Sequence, residues 1–481
     1  MASTERGSTV STSYGSEAAP VPRIGLLGIT QALYDHMIPG ITERQDGFAH
    51  RIAESLTGLA DVTVGRPVKS REDAEAVMRQ FANADLDGVM VVMLTYGPAM
   101  RVARLLSETQ LPILLANVQP EVAVTPAWDM ADMTYNQGIH GAQDTANAMV
   151  RASRRFQVIT DDWQSDGFRL AFSRWANAAR AVTAWRALKI AVFGYPMNQM
   201  GDIRVDENAL VRSLGPQIDF LAPGDIHRRM QVIPAGDVNE LQAWEDEHFE
   251  IDPRLSTEER DDHARMQLAI QGLLDDGGYR AYSTHFDAIA EDGRFARLPM
   301  AAASSLMAKG YGYGAEGDAL AAAMVFAGHQ LLGAGHFTEM YAMDFPSDSL
   351  LMSHMGEGNY AIARTDERVR LIKRPLGIGK LDDPPTFLFR YQPGPATIAS
   401  LVSLGGERFR LVVAEGANID GPVLPALEMP YGQFAPNSGV RRCMDRWLTA
   451  GGTHHMVMNL GHHARTWEVF CQLAGIEFEQ V

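Results

Sequence analysis

The chain has 481 residues, of which 46% are apolar and 21% charged, a composition typical of a folded multidomain protein rather than a disordered or fibrous one. Its 42 basic and 59 acidic residues give a formal net charge of −17, which repels nucleic-acid phosphates and argues against DNA or RNA binding. The only cysteines, Cys443 and Cys471, exclude a disulfide framework and favour a reducing compartment.

The first residues are rich in Ser, Thr, Gly and Ala and lack the apolar stretch of a secretory signal, so residues 1–20 are predicted to form a disordered tail. The most apolar helical run, residues 319–328, is far shorter than the ~20 residues that cross a bilayer. We therefore expect a cytoplasmic protein without a membrane segment.

From residue 23 onward, short apolar runs alternate with helical stretches in the order RIGLLGIT, residues 41–56, DVTVG, residues 71–84 and GVMVVMLTYG. The runs GVMVVML and LPILLAN are apolar without alternation, which is typical of parallel strands covered on both faces. A doubly wound, Rossmann-like α/β domain is therefore predicted over residues 21–187.

A new β-type run, LKIAVFG, begins at Leu188 and opens a second α/β domain, the central domain, predicted over residues 188–332. Within it, the acidic stretch 237–262 is predicted to be rich in loops and residues 264–274 to be helical. The later runs RVRLIKR, PTFLFRYQ and RFRLVVAEG, separated by Gly and Pro, predict a mainly antiparallel β domain over residues 333–481.

The glycine-rich segment GYGYGAEGD, residues 310–318, is the first candidate for chemistry. A phosphate-binding turn would follow a strand, whereas residues 300–309 are predicted to be helical, and Glu316 would lie among the amides meant for an anion. A carboxylate in an open turn ahead of a helix suits a hard cation instead. A plain loop acid near a helix N-terminus is the alternative.

Further candidates are one carboxylate, Glu339, in HFTEMYAMDF, and several imidazoles, at His354 in LLMSHMGEGN and in two adjacent pairs, His454 with His455 and His462 with His463. Their spacing matches no short metal motif, and in an extended strand the two members of a pair point to opposite faces, so each pair offers one ligand. Solvated histidine pairs are the alternative.

Two glutamates and two histidines would suit Mn²⁺ or a similar divalent ion better than structural zinc. Two carboxylates beside such an ion can move a proton next to a carbonyl group, which is isomerase chemistry.

Four segments, GYGYGAEGD, HFTEMY, SHMGE and AGGTHH, resemble in order and approximate spacing the motifs of the L-arabinose isomerase family. Further blocks that resemble it are GITQALYD, LTYGPAM, WDMADMTYNQGIHG, VFGYPMN, LGIGKLDDPPTFLFRYQPGPATIASLV and CQLAGIE. The resemblance implies three domains and an Mn²⁺-dependent aldose–ketose isomerase, with Co²⁺ or Mg²⁺ as other ions, that works through an enediol. It also implies a trimer-based, usually hexameric homo-oligomer with its active sites between subunits.

Position by position, the resemblance implies four metal ligands, Glu316, Glu339, His354 and His455, of which the glutamates are also the catalytic acid/base pair. It implies substrate contacts from the neighbouring subunit at Gln31, Leu33, Gln137 and His140, an apolar wall at Met197 and Phe286, and a substrate-side imidazole at His454. The alternatives are core positions for Leu33, Met197 and Phe286 and a backbone-bonding role in a βα loop for Gln137.

The chain also departs from the family pattern. Met340 follows Glu339 where the family usually has an acid, which would remove a charge from the metal's surroundings. Residues 430–447 replace a stretch that usually carries a Trp-Lys pair, family members usually extend beyond Val481, and Arg441 and Arg442 would lie at the surface or bind an anion. A different or modified sugar or polyol, or a noncatalytic sugar-binding role, therefore stay open.

Overall fold

A computed structural model describes residues 20–481 of the protein. The predicted tail over residues 1–20 lies outside the described residues except for Pro20. The chain forms two compact units: a smaller one of Pro20–Arg186 with Arg465–Phe478, and a larger one of Ala187–Ala464 with Glu479–Val481. The boundaries of the three sequence-predicted domains stay a prediction.

The smaller unit is built on a parallel sheet with the strand order β2-β1-β3-β4-β5. Its strands are β1 (Arg23–Ile29), β2 (Asp61–Val64), β3 (Gly88–Met93), β4 (Ile113–Asn117) and β5 (Gln157–Thr160). Its helices from this part of the chain are α1 (Leu33–Met37), α2 (Ile41–Ser55), α3 (Arg71–Ala82), α4 (Ala103–Glu108), α5 (Met130–Asn136), α6 (Gly138–Arg151) and α7 (Asp166–Arg186). Since the strand order reverses direction between β1 and β3, the sheet is doubly wound, as predicted.

The first half of the larger unit forms a second parallel sheet, with the order β10-β9-β6-β7. The strands of this stretch are β6 (Lys189–Phe193), β7 (Gln217–Leu221), β8 (Glu250–Ile251), β9 (Ala281–Thr284) and β10 (Gly312–Ala315). The helices are α8 (Glu207–Ser213), α9 (Pro223–Met230), α10 (Ala235–His248), α11 (Thr257–Gly277), α12 (Phe286–Asp292), α13 (Met300–Ala308) and α14 (Ala319–Leu332).

The prediction of loops over residues 237–262 is wrong, because α10 and the start of α11 cover most of that stretch. Ser256 caps α11 by accepting a hydrogen bond from the Glu259 backbone N–H, while the Glu259 side chain accepts from the Ser256 N–H. Between the two helices, buried Glu245 lies 2.9 Å from His263 Nε2. Glu245 and Asp246 are thus paired across the two helices.

The middle of the glycine-rich segment, Gly312–Ala315, forms β10, and the turn that carries Glu316 follows it ahead of α14. A Cβ at Gly312 would lie 2.1 Å from the Ala322 carbonyl oxygen, so this glycine allows α14 to lie directly against β10. The turn itself is confined to Glu316 and Gly317, which have positive φ angles of 62° and 83°. The preceding helix, predicted over residues 300–309, is confirmed as α13.

The last third of the chain is mainly antiparallel, as predicted. Its strands are β11 (His336–Asp344), β12 (Ser349–Ser353), β13 (Arg370–Lys373), β14 (Pro385–Leu388), β15 (Gly394–Ser403), β16 (Phe409–Ile419), β17 (Tyr431–Pro436), β18 (His455–Leu460) and β19 (Glu477–Gln480), and its helices are α15 (Val440–Ala450) and α16 (Ala464–Ala474). The main sheet has the order β15-β18-β11-β12-β17-β16-β19, and β15 also pairs with β16, so the sheet closes on itself. β13 and β14 form a separate small sheet with β8.

Buried side chains such as Phe434, Trp447 and Met458 fill the core of the closed sheet. Cys443 belongs to this core, and Cys471 is also buried as a free thiol. No helix within residues 20–481 combines the length and the apolarity that a bilayer crossing needs.

Candidate active site

Four strands of the larger unit bring the predicted ligands together. Glu316 follows β10, and Glu339 lies within β11, between its neighbours β12 and β18. The register pairs Glu339 with Ser353 on one side and with His455 on the other, so His354 follows directly beside it. The antiparallel pairing therefore gathers residues that lie far apart in sequence.

Distances within this cluster are short. His455 Nε2 lies 3.3 Å from Glu339 Oε1 and 3.7 Å from Glu316 Oε2. His354 Nε2 lies 3.9 Å from Glu339 Oε2. Donor atoms of Glu339, His354 and His455 lie within 4.8 Å of one another, as do donor atoms of Glu316, His454 and His455.

His454 faces the same carboxylates as His455, and the prediction that a pair points to opposite faces is wrong here. Its Nε2 lies 3.8 Å from Glu316 Oε2 and 3.7 Å from Glu339 Oε1, and the two imidazole centroids are 4.0 Å apart. The reason is that β18 begins only at His455, so His454 lies in a bend and escapes the alternation of an extended strand.

A carboxylate stands behind each imidazole of the cluster. Glu357 accepts a hydrogen bond from His354 Nδ1 at 2.6 Å. Asp318 accepts from His455 Nδ1 at 2.9 Å, and Asp202 accepts from His454 Nδ1 at 2.6 Å. Such partners fix the ring orientation and leave Nε2 directed at the glutamates.

Sequence reasoning missed these three carboxylates. Glu357 lies three residues after His354, within the quoted SHMGE motif, and offered a local signal. Asp318 lies within the glycine-rich segment, but its partner is 137 residues away. Asp202 is separated from His454 by 252 residues and belongs to no motif.

A buried hydrogen-bond chain extends behind His354. The Tyr313 hydroxyl donates to Glu357 Oε1 at 2.9 Å and lies 3.0 Å from Thr284 Oγ1. The Thr284 carbonyl accepts the Glu316 N–H at 2.9 Å. This chain of hydrogen bonds through the second sheet thus connects the Glu316 backbone to Glu357, the carboxylate that supports His354.

Mutual attraction sets the charges of the cluster. Burial alone would raise the pKa of Glu339, but His455, His354 and His454 lower it to about 2. Burial alone would lower the pKa of His455 and His454, but their carboxylate partners raise them to about 9 and about 10. The cluster therefore balances carboxylates with imidazolium protons, which a bound cation would displace.

The buried donor atoms fit a divalent ion. Glu316 Oε2, His454 Nε2 and His455 Nε2 are buried and have no hydrogen-bond partner of good geometry within residues 20–481. Buried polar atoms are rarely left unpaired in native proteins. A mixed set of carboxylate oxygens and imidazole nitrogens matches the ligand preferences of Mn²⁺ and related ions.

Four of the predicted substrate residues belong to the smaller unit. Gln31 follows β1 and accepts a hydrogen bond from Arg101 at 3.1 Å, while Leu33 is 56% exposed and so is not a core residue. Gln137 joins α5 to α6, so the βα-loop alternative is wrong, and the His140 ring is 6.5 Å from that of Tyr96.

The predicted apolar wall lies in the larger unit. Met197 is half-buried, and its N–H donates to the Glu316 carbonyl at 2.8 Å. Phe286 is half-buried and lines a cavity together with Ile289, Glu316 and His354. Neither side chain is fully in the core.

The remaining candidates lie away from the cluster. His462 and His463 contact backbone carbonyls through Nε2. Met340 packs against the core of the closed sheet, and its effect on the charge around a bound metal stays a prediction. The side chain that lies near Glu339 is Tyr341, whose pKa is raised by burial and by that carboxylate. Arg441 and Arg442 are exposed on α15, as expected for surface placement. Residues 430–447 form β17 and α15, and they supply several buried core side chains.

Three family models match consecutive parts of the chain. They describe the L-arabinose isomerase N-terminal domain at residues 24–187, the central domain at residues 189–333 and the C-terminal domain at residues 334–477.

Individual relatives match the chain over most of its length. The chain is 29% identical to the L-arabinose isomerases of Yersinia pseudotuberculosis serotype O:1b (strain IP 31758) and serotype O:3 (strain YPIII) over 450 residues, covering 89% of each chain. It is 29% identical to that of Yersinia pestis (strain Pestoides F) over 448 residues, with the same coverage.

Together with the fold, these matches define the chain as an aldose–ketose isomerase, an intramolecular oxidoreductase. The noncatalytic alternative is therefore set aside. The resemblance seen in the sequence is confirmed, and the chain belongs to the L-arabinose isomerase family.

Proposed function

We propose that the protein is a metal-dependent sugar isomerase in which Glu316, Glu339, His354 and His455 hold Mn²⁺, with Co²⁺ or Mg²⁺ as substitutes. The observation that supports this most strongly is the meeting of these four side chains, with buried Glu316 Oε2 and His455 Nε2 lying 3.7 Å apart without a hydrogen bond. A divalent ion held there would supply Lewis acidity to the sugar's carbonyl and hydroxyl oxygens.

In the proposed reaction, Glu316 and Glu339 exchange protons with the sugar. One carboxylate takes the C2 proton of the aldose, the electron pair of that bond forms the C1–C2 double bond, and the C1 oxygen gains a proton, which gives an enediol. Loss of the proton on the C2 oxygen and return of a proton to C1 then give the ketose. Atoms and electrons balance without a further reactant.

The substrate pocket is proposed to include His454 on the polar side and Met197 and Phe286 on the apolar side. Support comes from the position of His454 Nε2 within 4 Å of both glutamates and from Phe286 in the same cavity as Glu316. L-Arabinose is the first substrate to test, since the named relatives are L-arabinose isomerases. A different or modified sugar or polyol is the alternative, supported by the departure of residues 430–447 from the family, since Tyr431 pairs with Ser353 beside His354.

We further propose a cytoplasmic homo-oligomer, a trimer-based hexamer in which Gln31, Leu33, Gln137 and His140 complete a neighbour's pocket. Support comes from exposed apolar side chains that follow the carboxyl ends of β1, β3 and β4, adjacent strands of one parallel sheet. They are Leu33, Met37, Met100, Val122, Val124, Met130, Met133 and Ile139. Clustered exposed apolar residues are typical of surfaces that a partner covers.

The decisive experiment is proton NMR of the Mn²⁺-loaded protein in D₂O with aldoses and ketoses, following interconversion and deuterium entry at C1 or C2. We expect L-arabinose to give its ketose with solvent deuterium incorporated. Glu316→Gln should reduce the rate by about 10² to 10⁴-fold, the usual contribution of a positioned general base. Glu247→Gln, at an exposed position on α10, is the matched control and should retain full rate. A Glu316→Gln variant with near-normal turnover would refute the assigned base.

A further inference from the structure

The loop of residues 194–206, between β6 and α8, contains no helix or strand. It contacts the cluster of glutamates and histidines of the candidate site at two points, Glu316 and His454. The Met197 N–H donates to the Glu316 carbonyl at 2.8 Å, and Asp202 contacts His454. Arg204 donates to the carbonyls of Pro196 and Met197 at 3.1 and 3.2 Å, which folds the loop back on itself. The loop is therefore a defined element of the site.

Asp202 makes both of its contacts with His454 through a single oxygen. Oδ2 accepts from the His454 backbone N–H at 3.1 Å and contacts His454 Nδ1 at 2.6 Å. The backbone contact fixes the position of His454 just before β18, and the Nδ1 contact fixes the rotation of its ring. Together they determine where Nε2 points.

Packing alone does not hold this ring in place. The side chains of His454 and Asp202 are 35% and 38% exposed, whereas those of His455 and Asp318 are 0% and 4% exposed. His455 is thus fixed by its surroundings as well as by its carboxylate. His454 is more exposed than His455, so the orientation of its ring depends more on the hydrogen bonds to Asp202.

The orientation matters because of what lies on the other side of the ring. Nε2 lies 3.7 Å from Glu339 Oε1 and 3.8 Å from Glu316 Oε2, is buried, and lacks a hydrogen-bond partner within residues 20–481. A carboxylate on Nδ1 keeps a proton on that nitrogen and directs Nε2 to the space between the glutamates. This is where the proposed reaction places the sugar oxygens.

We propose that Asp202 is a positioning residue of the isomerase, which acts through His454 by directing its Nε2 toward the sugar oxygens held between Glu316 and Glu339. This inference rests on the proposed function. It assigns a role in substrate positioning to a loop of the second parallel sheet, in addition to the strands that position the four proposed ligands.

The test compares Asp202→Ala and Asp202→Asn with a control in the same loop. Asp206→Asn is the matched control, because Asp206 caps α8 by accepting from the Ala209 N–H, a role that asparagine also fills. We expect Asp202→Ala to lower kcat/KM about 10- to 100-fold, the usual effect of losing such a support. Asp202→Asn should recover most of this loss, since its amide oxygen can accept both hydrogen bonds. Asp206→Asn should stay within twofold of the wild type.

Two further measurements separate positioning from a general structural effect. Calorimetric titration of the metal-free protein with Mn²⁺ should give affinities within about twofold for wild type and Asp202→Ala, because His454 is not among the four proposed ligands. In a His454→Ala background, Asp202→Ala should cause no further loss of kcat/KM, because the residue through which it acts is gone.

The outcomes distinguish this inference from the function on which it rests. A wild-type protein that isomerises no sugar refutes the proposed function. An active wild type in which Asp202→Ala behaves like Asp206→Asn overturns only the role of Asp202. An equal loss in the His454→Ala background would likewise show that Asp202 does not act through His454.

Discussion

At the scale of single residues, His336 is a titratable group sealed inside the protein. It is 0% exposed at the start of β11, its Nδ1 accepts the Asn359 N–H at 2.9 Å, and its ring lies edge-on to Tyr391 with the centroids 4.5 Å apart. Burial lowers its pKa from 6.5 to about 3. His336 is therefore neutral in the folded protein over the physiological range.

This pKa shift predicts a loss of stability in acid. Because the folded-state pKa lies below that of the unfolded chain, the contribution of His336 is fully present above pH 6.5 and is lost as the pH falls from about 6.5 to about 3. The slope for this one group is about 1.4 kcal/mol per pH unit. Thermal unfolding between pH 7 and pH 4 checks it, since His336→Asn retains an acceptor for Asn359 but does not titrate.

Because other groups titrate between pH 7 and pH 4, the test compares how steeply the Tm of each protein falls with pH. The Tm of the wild type should fall more steeply with acid than that of His336→Asn. His248→Asn, at an exposed position on α10, should leave the wild-type slope unchanged. Parallel curves for wild type and His336→Asn would contradict the assigned cause.

Individual residues were also the hardest part of the site to predict. Residue chemistry supplied the candidate carboxylates and imidazoles, but only the family resemblance selected the set of four ligands. Spacing could not, because sheet register and not sequence distance brings His354 and His455 beside Glu339. The carboxylates behind the imidazoles were missed, since only Glu357 is local to its partner. A contact across 252 residues, as between Asp202 and His454, leaves no trace in a single sequence.

At the scale of elements, the approach of α14 to β10 depends on glycine. Gly312→Ala would place a Cβ 2.1 Å from a backbone oxygen of α14, which cannot move as a flexible side chain can. We expect overpacking to destabilise the larger unit by about 1 to 3 kcal/mol. Gly236→Ala is the matched control, because its Cβ would meet nothing within 4 Å in the first turn of α10.

Denaturant unfolding checks this pair of substitutions. The midpoint should fall for Gly312→Ala and stay the same or rise slightly for Gly236→Ala, since alanine is the better helix former. A Gly312→Ala protein as stable as the wild type would mean that α14 can shift away from the sheet without cost.

Strands and helices with a clear apolar pattern were predicted well, whereas elements rich in acidic residues or in glycine were mistaken for loops and turns. Continuous apolar runs identified β3 and β4, and the helical stretches 41–56 and 71–84 correspond to α2 and α3. The acidic stretch 237–262 was misjudged because acidic residues also occupy helices, where Glu245 and Asp246 pair with side chains of α11. The glycines of β10 were misjudged because close packing against a helix, rather than a turn, requires them.

At the scale of the whole molecule, the exposed apolar side chains of the smaller unit predict self-association. Val124 is 77% exposed after β4, and burying such side chains between copies would remove apolar surface from water. Val124→Asp should therefore reduce the molar mass in solution, measured by light scattering, relative to the wild type. Activity should fall with it if pockets are shared between copies.

A second valine-to-aspartate change provides the control. Val232 is 70% exposed in the larger unit, outside the proposed contact surface, and Val232→Asp should leave the mass unchanged. A wild-type mass of 52.7 kDa, the mass of one chain, combined with full activity would refute the proposed assembly.

The last helix of the chain completes the first unit to be synthesised. Residues Arg465–Phe478 belong to the smaller unit, where Phe470 packs edge-on against Trp185 of α7 at 5.4 Å. A ribosome makes Ala187–Ala464 of the larger unit in between, which takes on the order of tens of seconds at typical translation rates. During that interval Trp185 lacks its partner from α16. Folding on the ribosome must therefore tolerate an open apolar face, and a chaperone that shields it would protect the nascent chain from aggregation.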